Sequence, residues 1–160
     1  VTTGRFRSDK IKKRKIPFLR RSVGMIFQNY HLLRDRNLYE NIALPLYVIG
    51  ARHSEIPDRV ENIIDQVGLV GKEDHAPDEL SGGEQQRACI ARALVKDPEI
   101  ILADEPTGNL DPITSFELLK LLESVNHEGT AVLMASNNYN LIKGRGNRIM
   151  EIQQGILRKN

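Results

Sequence analysis

The sequence has little cysteine and no long apolar run. Its 160 residues contain one cysteine, Cys89, so an internal disulfide is excluded, which fits a reducing compartment. The longest apolar candidate, IALPLYVIG, contains Pro45 and is far shorter than the roughly 20 residues that cross a bilayer. A secretory signal is not expected, because no apolar segment follows the first basic residues. The composition, 40% hydrophobic and 28% charged, is typical of one globular domain with a sizeable core.

Acidic residues are scarce in the first part of the chain. Residues 1–21 carry nine Lys or Arg against Asp9 alone, although the net charge is only +2. Such a block can contact nucleic acid or an anionic membrane surface, and a solvated basic surface is the simpler interpretation. Because only Phe6 and Phe18 lie among these charges, the segment lacks the stacked aromatics of a single-strand binding surface. We therefore expect no nucleic-acid partner.

The hydrophobic pattern predicts strands and helices in alternation. Val60, Ile63, Ile64 and Val67 follow the spacing of an amphipathic helix, and Gly68 is a plausible stop for it. The other predicted helices cover 37–50, 81–96 and 113–126, the last with Phe116, Leu119 and Leu122 on one side. The predicted strands cover 21–28, 99–106, 130–136 and 148–152, followed by a turn into a short final strand, and we expect those at 99–106 and 130–136 to be buried. The alternation after residue 99 predicts an α/β layered core.

The stretch LSGGEQQR, residues 80–87, predicts a helix start that presents bare backbone N–H groups. Ser81 and Glu84 form a capping box, in which each side chain accepts from the other residue's backbone N–H. Gly82 and Gly83 remove side chains from the first turn, which lets a ligand approach the backbone closely. Because a helix N-terminus carries a partial positive charge, an anion such as a phosphate is favoured there. A well-capped structural helix is the alternative.

Two carboxylates end the predicted strand IILADEP. Asp104 can hold Mg²⁺, which prefers one or two carboxylates together with phosphate oxygens. Its neighbour Glu105 points elsewhere and can orient and deprotonate a water. A carboxylate pair that caps a loop without a metal stays open as the alternative. The following GNLD, residues 108–111, is turn-rich.

These motifs, in this order and spacing, resemble the ATP-binding-cassette (ABC) ATPases over essentially the whole chain. LSGGEQQR is similar to the family's signature motif, IILADEP to its Walker B strand and GNLD to its D-loop. GMIFQ is similar to its Q-loop and ends in Gln28. The segments PFLRRSVGMIFQNYHLL, ILADEPTGNLD and LMASNNYNLI resemble the cell-division subfamily of FtsE-type ATPases. Lipoprotein-release and macrolide-export ATPases share much of this pattern and stay open as alternatives.

The resemblance implies an ABC-type P-loop NTPase fold: a parallel-sheet core with helices on both faces and an inserted helical signature subdomain. It implies that residues 1–28 end the N-terminal part of the core and carry the Q-loop. Residues 29–97 would form the helical subdomain, and residues 98–160 the C-terminal part of the core. The expected activity is ATP hydrolysis with Mg²⁺.

The resemblance also assigns roles to residues. Gln28 would contact Mg²⁺ and the attacking water, Asp104 would position the metal and Glu105 would polarise the water. Ser81, Gly82, Gly83 and Glu84 would bind the ATP held by a second copy of the chain, and Asp111 would communicate across this homodimer. An integral membrane FtsX-like subunit would dock on the Q-loop and helical subdomain. The protein would then lie peripherally at the cytoplasmic face of the bacterial inner membrane and act in cell division.

One departure from the family pattern concerns the phosphate-binding loop. The sequence contains no G-x-x-x-x-G-K-[ST], the pattern whose backbone N–H groups and lysine hold the β- and γ-phosphates. Gly71 and Lys72 do not supply it, because residue 66 is Gln and Glu73 follows the lysine. With no initial Met before VTTGRFRSDK, we expect an N-terminally truncated and incomplete fold. Such a chain alone would bind ATP weakly, leave apolar sheet surface uncovered and be catalytically inactive.

The second departure lies in the segment ASNN. Asn137 stands where the family has its switch histidine. An imidazole donates hydrogen bonds and can carry charge, whereas an amide donates but stays neutral. Losing one preorganised stabiliser of transition-state charge commonly lowers a rate by about 100- to 1,000-fold. The alternative is slow turnover, or a non-catalytic role in which only the signature residues of this chain contribute to an ATP-bound partner.

Overall fold

The structure is a computed structural model that describes residues 2–3, 6–7 and 11–159. The helices in these ranges are α1 Ile16–Arg21, α2 Leu38–Ile49, α3 Ile56–Gln66, α4 Gly82–Leu94, α5 Pro112–His127 and α6 Tyr139–Ile142. The strands are β1 Thr2–Thr3, β2 Phe6–Arg7, β3 Val23–Ile26, β4 Ile100–Asp104, β5 Ala131–Ala135, β6 Met150–Gln153 and β7 Ile156–Lys159. The predicted alternation is confirmed as β4–α5–β5, and the predicted final strands form the β6–β7 hairpin.

Three strands form a parallel sheet in the order β3–β4–β5. Parallel neighbours need a crossover connection, which α5 supplies between β4 and β5, and the segment containing α2, α3 and α4 supplies between β3 and β4. Because the strands run the same way, their last residues lie at the same carboxyl edge of the sheet; these are Ile26, Asp104 and Ala135. The α/β prediction with a parallel sheet is confirmed.

Helices cover one face of this sheet within the described ranges. Ile26, Ile101 and Ala103 are buried and belong to the hydrophobic core. The opposite face carries Met25 and Leu133, which are 42% and 49% exposed. Within the described ranges, this face of the sheet therefore keeps part of its apolar surface exposed.

The strand β5 is not buried as expected. Its residues alternate between exposed and half-buried, so that Val132 and Met134 pack against the core and Leu133 does not. The reason is its place in the sheet: β5 pairs with β4 on one side and is an edge strand of the described three-stranded sheet. A continuous apolar run therefore did not indicate burial on both faces here.

The helices α2, α3 and α4 pack together beside the sheet. All four residues of the predicted amphipathic stripe in α3 and its C-terminal extension are buried, and Gly68 has φ +71°, which confirms it as a stop. Helix α2 begins at Asn37 with a capping box completed by Glu40. The division of the chain at residues 28 and 97 stays a prediction. In the described part of the chain, no helix is both long and apolar enough to cross a membrane.

A single buried side chain, Asn41 of α2, orders the loop before that helix. Its Nδ2 donates to the carbonyls of Leu33, Arg36 and Asn37 at 3.0, 3.1 and 2.9 Å. Its Oδ1 accepts from the Leu33 amide at 2.7 Å. Four hydrogen bonds from one amide therefore fix the course of the chain between β3 and α2.

In helix α5, Phe116 lies outside the set of buried residues. Leu119 and Leu122 are buried, whereas Phe116 is 46% exposed. Lys120 Nζ and Arg145 Cζ each lie 4.7 Å from the centre of its ring, so two cations cover the aromatic face instead of the core. The buried residues of α5 also include Leu118 and Val125, whereas Phe116 lies at the surface.

Candidate functional site

The start of α4 has the predicted capping box. The Ser81 Oγ accepts from the Glu84 amide at 3.3 Å, and Glu84 Oε2 accepts from the Ser81 amide at 2.8 Å. Lys72 Nζ lies 3.4 Å from the other Glu84 oxygen. Hydrogen bonding from Ser81, first from its amide, holds the pKa of the Glu84 carboxyl below its usual value. The glutamate is therefore an ionised part of the helix terminus.

The two glycines of this turn also lie close to side chains from other parts of the chain. A Cβ on Gly82 would lie 3.0 Å from the Tyr30 hydroxyl, and one on Gly83 would lie 2.6 Å from Thr114 Cγ2. The local sequence indicates only that these glycines let a ligand approach the backbone. Tyr30 and Thr114 are neighbours that it missed, because nothing in the local pattern indicates which distant residues meet the turn.

Asp111 lies beside this helix start and caps α5. Its Oδ1 accepts from the amides of Ile113 and Thr114 at 2.9 and 3.1 Å, and its Oδ2 accepts from the Thr114 hydroxyl. The Thr114 hydroxyl is the main reason that the pKa of Asp111 is lowered. One cavity of about 340 Å³ is lined by Ser81, Gly82, Gly83, Glu84, Arg87, Asn109, Leu110, Asp111 and Thr114. The structure thus brings the signature residues and Asp111 together in one cavity.

A second group of residues meets at the carboxyl edge of the sheet. Asp104 ends β4 with an exposed side chain, and Glu105 follows it in the left-handed region at φ +44°. The Glu105 amide donates to the Ala135 carbonyl at 3.0 Å, which holds this strained residue at the end of the neighbouring strand. Glu105 and Asn137 line the same cavity of about 200 Å³, together with Gly108. The predicted water-polarising residue and the residue at the switch position are therefore neighbours.

Gln28 lies two residues beyond β3 and reaches the same loop. A Cβ on Gly108 would be 2.7 Å from Gln28 Nε2, so the glutamine amide lies directly on the glycine. Asn109 Nδ2 also donates to the Gln28 carbonyl at 3.2 Å. The strand ends earlier than its predicted end near residue 28, which leaves Gln28 in a turn. Gln28 therefore contacts the turn that follows the carboxylate pair.

The donor set at this edge is compatible with Mg²⁺. Asp104 offers an exposed carboxylate and Gln28 an amide oxygen, and Mg²⁺ uses few protein ligands when phosphates complete its shell. No group of three or more His, Cys, Asp or Glu side chains comes together among the described residues, so an all-protein metal cage is not formed there. For ATP, the chain supplies the carboxylate edge and the signature turn but no phosphate-binding loop sequence.

Comparison with known proteins identifies the class. The family model described as ABC transporter matches residues 2–108. The chain therefore belongs to the ABC transporter family, and the predicted family, fold and ATPase class are confirmed.

Relatives narrow the resemblance to one kind of ABC ATPase. The chain is 50% identical over 148 residues to the cell division ATP-binding protein FtsE of Escherichia coli K12, covering 92% of this chain and 67% of that protein. It is 47% identical over 147 residues to FtsE of Bacillus subtilis, covering 92% of the chain and 64% of the relative. FtsE of Mycobacterium tuberculosis is 45% identical over 157 residues, with 98% and 68% covered. The chain thus spans about two thirds of the length of these relatives.

Two solved structures share the fold. The first is a dimeric post-hydrolysis state of the ATP-binding cassette MJ0796 bound to ADP and Pi. It superimposes with a TM-score of 0.80 at 31% identity, covering 96% of this chain and 70% of that one. The second is CbiO1 from Clostridium perfringens, described as part of the ABC transporter complex CbiONQ. It gives a TM-score of 0.77 at 29% identity, covering 83% of this chain and 54% of that one.

Proposed function

We propose that this chain is the ATP-binding and ATP-hydrolysing part of an FtsE–FtsX-type complex that acts in bacterial cell division. The names of the relatives support the cell-division role, and the ABC family supports nucleotide binding. The protein works as a homodimer with composite ATP sites. It is held peripherally at the cytoplasmic face of the inner membrane by an integral FtsX-like subunit.

The observation that carries this proposal is the shared cavity of Glu105 and Asn137 at the carboxyl edge of the sheet. In parallel α/β sheets, ligands bind outside the carboxyl ends of the strands. Asp104 would hold Mg²⁺, which neutralises phosphate charge when bound, and Gln28 would contact the metal and the attacking water. The Glu105 carboxylate accepts a hydrogen bond from that water and aims its oxygen at the γ-phosphate. The neutral Asn137 amide donates a hydrogen bond to the same phosphate without adding charge.

The signature turn serves the nucleotide of the other copy. Ser81, Gly82 and Gly83 present hydroxyl and backbone donors at a helix N-terminus, where a phosphate is favoured. Glu84 fixes this turn through the capping box, and Asp111 lies in the same cavity, from which it communicates with the partner subunit. The dimeric state of the MJ0796 structure supports the two-copy arrangement.

The helical region and the Gln28 turn form the docking surface for the membrane subunit. Tyr47 and Val48, at the end of α2, are exposed apolar residues in this region. That CbiO1 is described as part of a transporter complex supports a membrane partner. Nucleic acid is not a partner in this proposal.

Steady-state hydrolysis of Mg²⁺–ATP tests the enzymatic proposal. The protein is expressed from its complete gene and measured alone and with its membrane subunit, against Glu105→Gln as the matched control. We expect hydrolysis that Glu105→Gln lowers by about 100-fold or more, because the water loses its base. Equal rates for the two proteins would refute the enzymatic role.

Asn137 favours a slow or non-catalytic variant of the same function. Restoring the imidazole with Asn137→His is expected to raise turnover, because a charged donor then faces the γ-phosphate. An unchanged rate would show that residue 137 is not the switch. Titration of residues 1–160 with a labelled ATP analogue tests the non-catalytic alternative, and tight binding would refute it.

A further inference from the structure

One face of α4 is bonded to the chain that follows β3. Three side chains on this face donate hydrogen bonds to main-chain carbonyls of residues 27–31. The donors are Gln86, Cys89 and Arg92, and the acceptors are the carbonyls of Phe27, Tyr30 and His31. Donors at intervals of three residues lie on the same side of a helix, so α4 holds this segment along its length.

Arg92 makes the strongest of these contacts. Its Nη1 donates to the His31 carbonyl at 2.6 Å, and its Nη2 donates to the Tyr30 carbonyl at 2.8 Å. The planar guanidinium presents two parallel donors in a fixed geometry, which a lysine ammonium does not. Gln86 contributes only a long bond of 3.5 Å, and its Oε1 has no partner among the described residues. Arg92 is therefore the main attachment.

The segment needs an attachment because its backbone is strained. Tyr30 and His31 both lie in the left-handed region, at φ +47° and +53°. Residues with a Cβ rarely adopt this conformation, and here two of them follow each other. The two carbonyls that Arg92 holds belong to these same two residues. The charged hydrogen bonds thus offset the local strain.

The segment that Arg92 holds places one side chain beside the turn after the carboxylate pair and another beside the start of the signature helix. Gln28 lies against Gly108, in the turn that follows the carboxylate pair. Tyr30 places its hydroxyl beside Gly82, at the start of the signature helix. One guanidinium therefore fixes the short piece of chain that links the water-polarising end of the site to the signature end.

We propose that Arg92 is a positioning residue that sets the Gln28 amide against the carboxylate turn by holding the carbonyls of Tyr30 and His31. It contacts neither nucleotide nor metal and acts through the segment that it holds. Its effect on turnover rests on the proposed ATPase function, whereas its hold on the segment does not.

Hydrogen exchange of the complete protein tests the hold directly. In Arg92→Lys the charge stays but the two-pronged donor is lost, so amides of residues 27–33 are expected to exchange about 10-fold faster. Arg59→Gln is the matched control, since Arg59 of α3 also donates to a main-chain carbonyl near the end of α4, that of Val95 at 2.8 Å, but does not hold residues 27–33. It should leave exchange at 27–33 unchanged. Unchanged exchange in Arg92→Lys, or equal acceleration in both variants, would overturn the proposal.

Kinetics then separate positioning from mere stability. We expect Arg92→Lys to lower kcat about 10-fold while KM for ATP changes less than about 2-fold, because the signature turn stays intact. Faster exchange with an unchanged kcat would overturn the positioning role. If the unmodified protein hydrolyses no ATP, the proposed function fails, and the exchange comparison alone supports or overturns the hold of Arg92.

Discussion

Gly83 lies in the first turn of α4, and an alanine there would drive a methyl group into α5. The new Cβ would be 2.6 Å from Thr114 Cγ2, whereas carbon atoms in contact prefer about 3.5–4.0 Å. The threonine cannot swing away easily, because its hydroxyl and amide are both bonded to Asp111. Overpacking of this kind costs about 1–3 kcal/mol. An alanine gains up to about 1 kcal/mol of helix propensity, so Gly83→Ala should destabilise the protein by about 1–2 kcal/mol.

A double-mutant cycle with Thr114→Ser isolates the clash. Serine keeps the hydroxyl that bonds Asp111 but removes the Cγ2 methyl, so the cap stays while the obstacle disappears. Gly83→Ala should then be neutral or stabilising in the Thr114→Ser background, with an interaction energy of about 1–3 kcal/mol. Urea unfolding followed by circular dichroism suits a chain without tryptophan. An alanine that costs nothing, or costs the same in both backgrounds, would refute the reasoning.

Three further predictions concern neighbouring residues. Gly108→Ala should change the free energy of unfolding by less than about 0.5 kcal/mol, because its Cβ meets the movable end of Gln28. The same variant should lower kcat by up to about 100-fold, and an unchanged kcat would contradict this. Asn41→Ala should cost about 2–4 kcal/mol in urea unfolding for its four hydrogen bonds, and a loss under 1 kcal/mol would contradict it. Since the pKa of Glu84 is lowered, its stabilisation is present above about pH 4.5 and lost as pH falls through the folded value. Glu84→Gln should therefore flatten the acid limb of the stability–pH curve, and parallel curves would argue against the bond to Ser81.

Features that depend on neighbours in sequence were predictable. The capping box joins residues three apart, and the α3 stripe follows a helical period, so both appear in the printed order of residues. The edge position of β5 was not predictable, because an apolar run has the same appearance in a central and an edge strand. The exposure of Phe116 was not predictable from the helical spacing, because two cations from α5 and the segment after α6 cover its ring instead of the core.

The candidate site was predictable only in parts. The motif resemblance proposes Ser81, Asp104 and Glu105 as site residues, but it does not indicate which residues hold them in place. The contact of Gln28 with Gly108 joins residues 80 positions apart, and Arg92 meets the Tyr30 carbonyl over 62 positions. Such contacts arise from the crossover that returns the chain to the sheet, so no local pattern encodes them. The motifs indicated the chemistry, whereas the contacts that position the site residues are visible only in the tertiary structure.

The bond between Cys89 and the Tyr30 carbonyl gives the protein a built-in chemical reporter. The thiol is 1% exposed, and burial raises its pKa to about 12, so almost no reactive thiolate exists near neutral pH. It is also the only cysteine in the sequence. Alkylation of Cys89 therefore requires an opening that exposes the thiol, such as movement of the segment at Tyr30 away from α4. The labelling rate of the native Cys89 sulfur would therefore report how often the thiol becomes exposed, without an introduced probe.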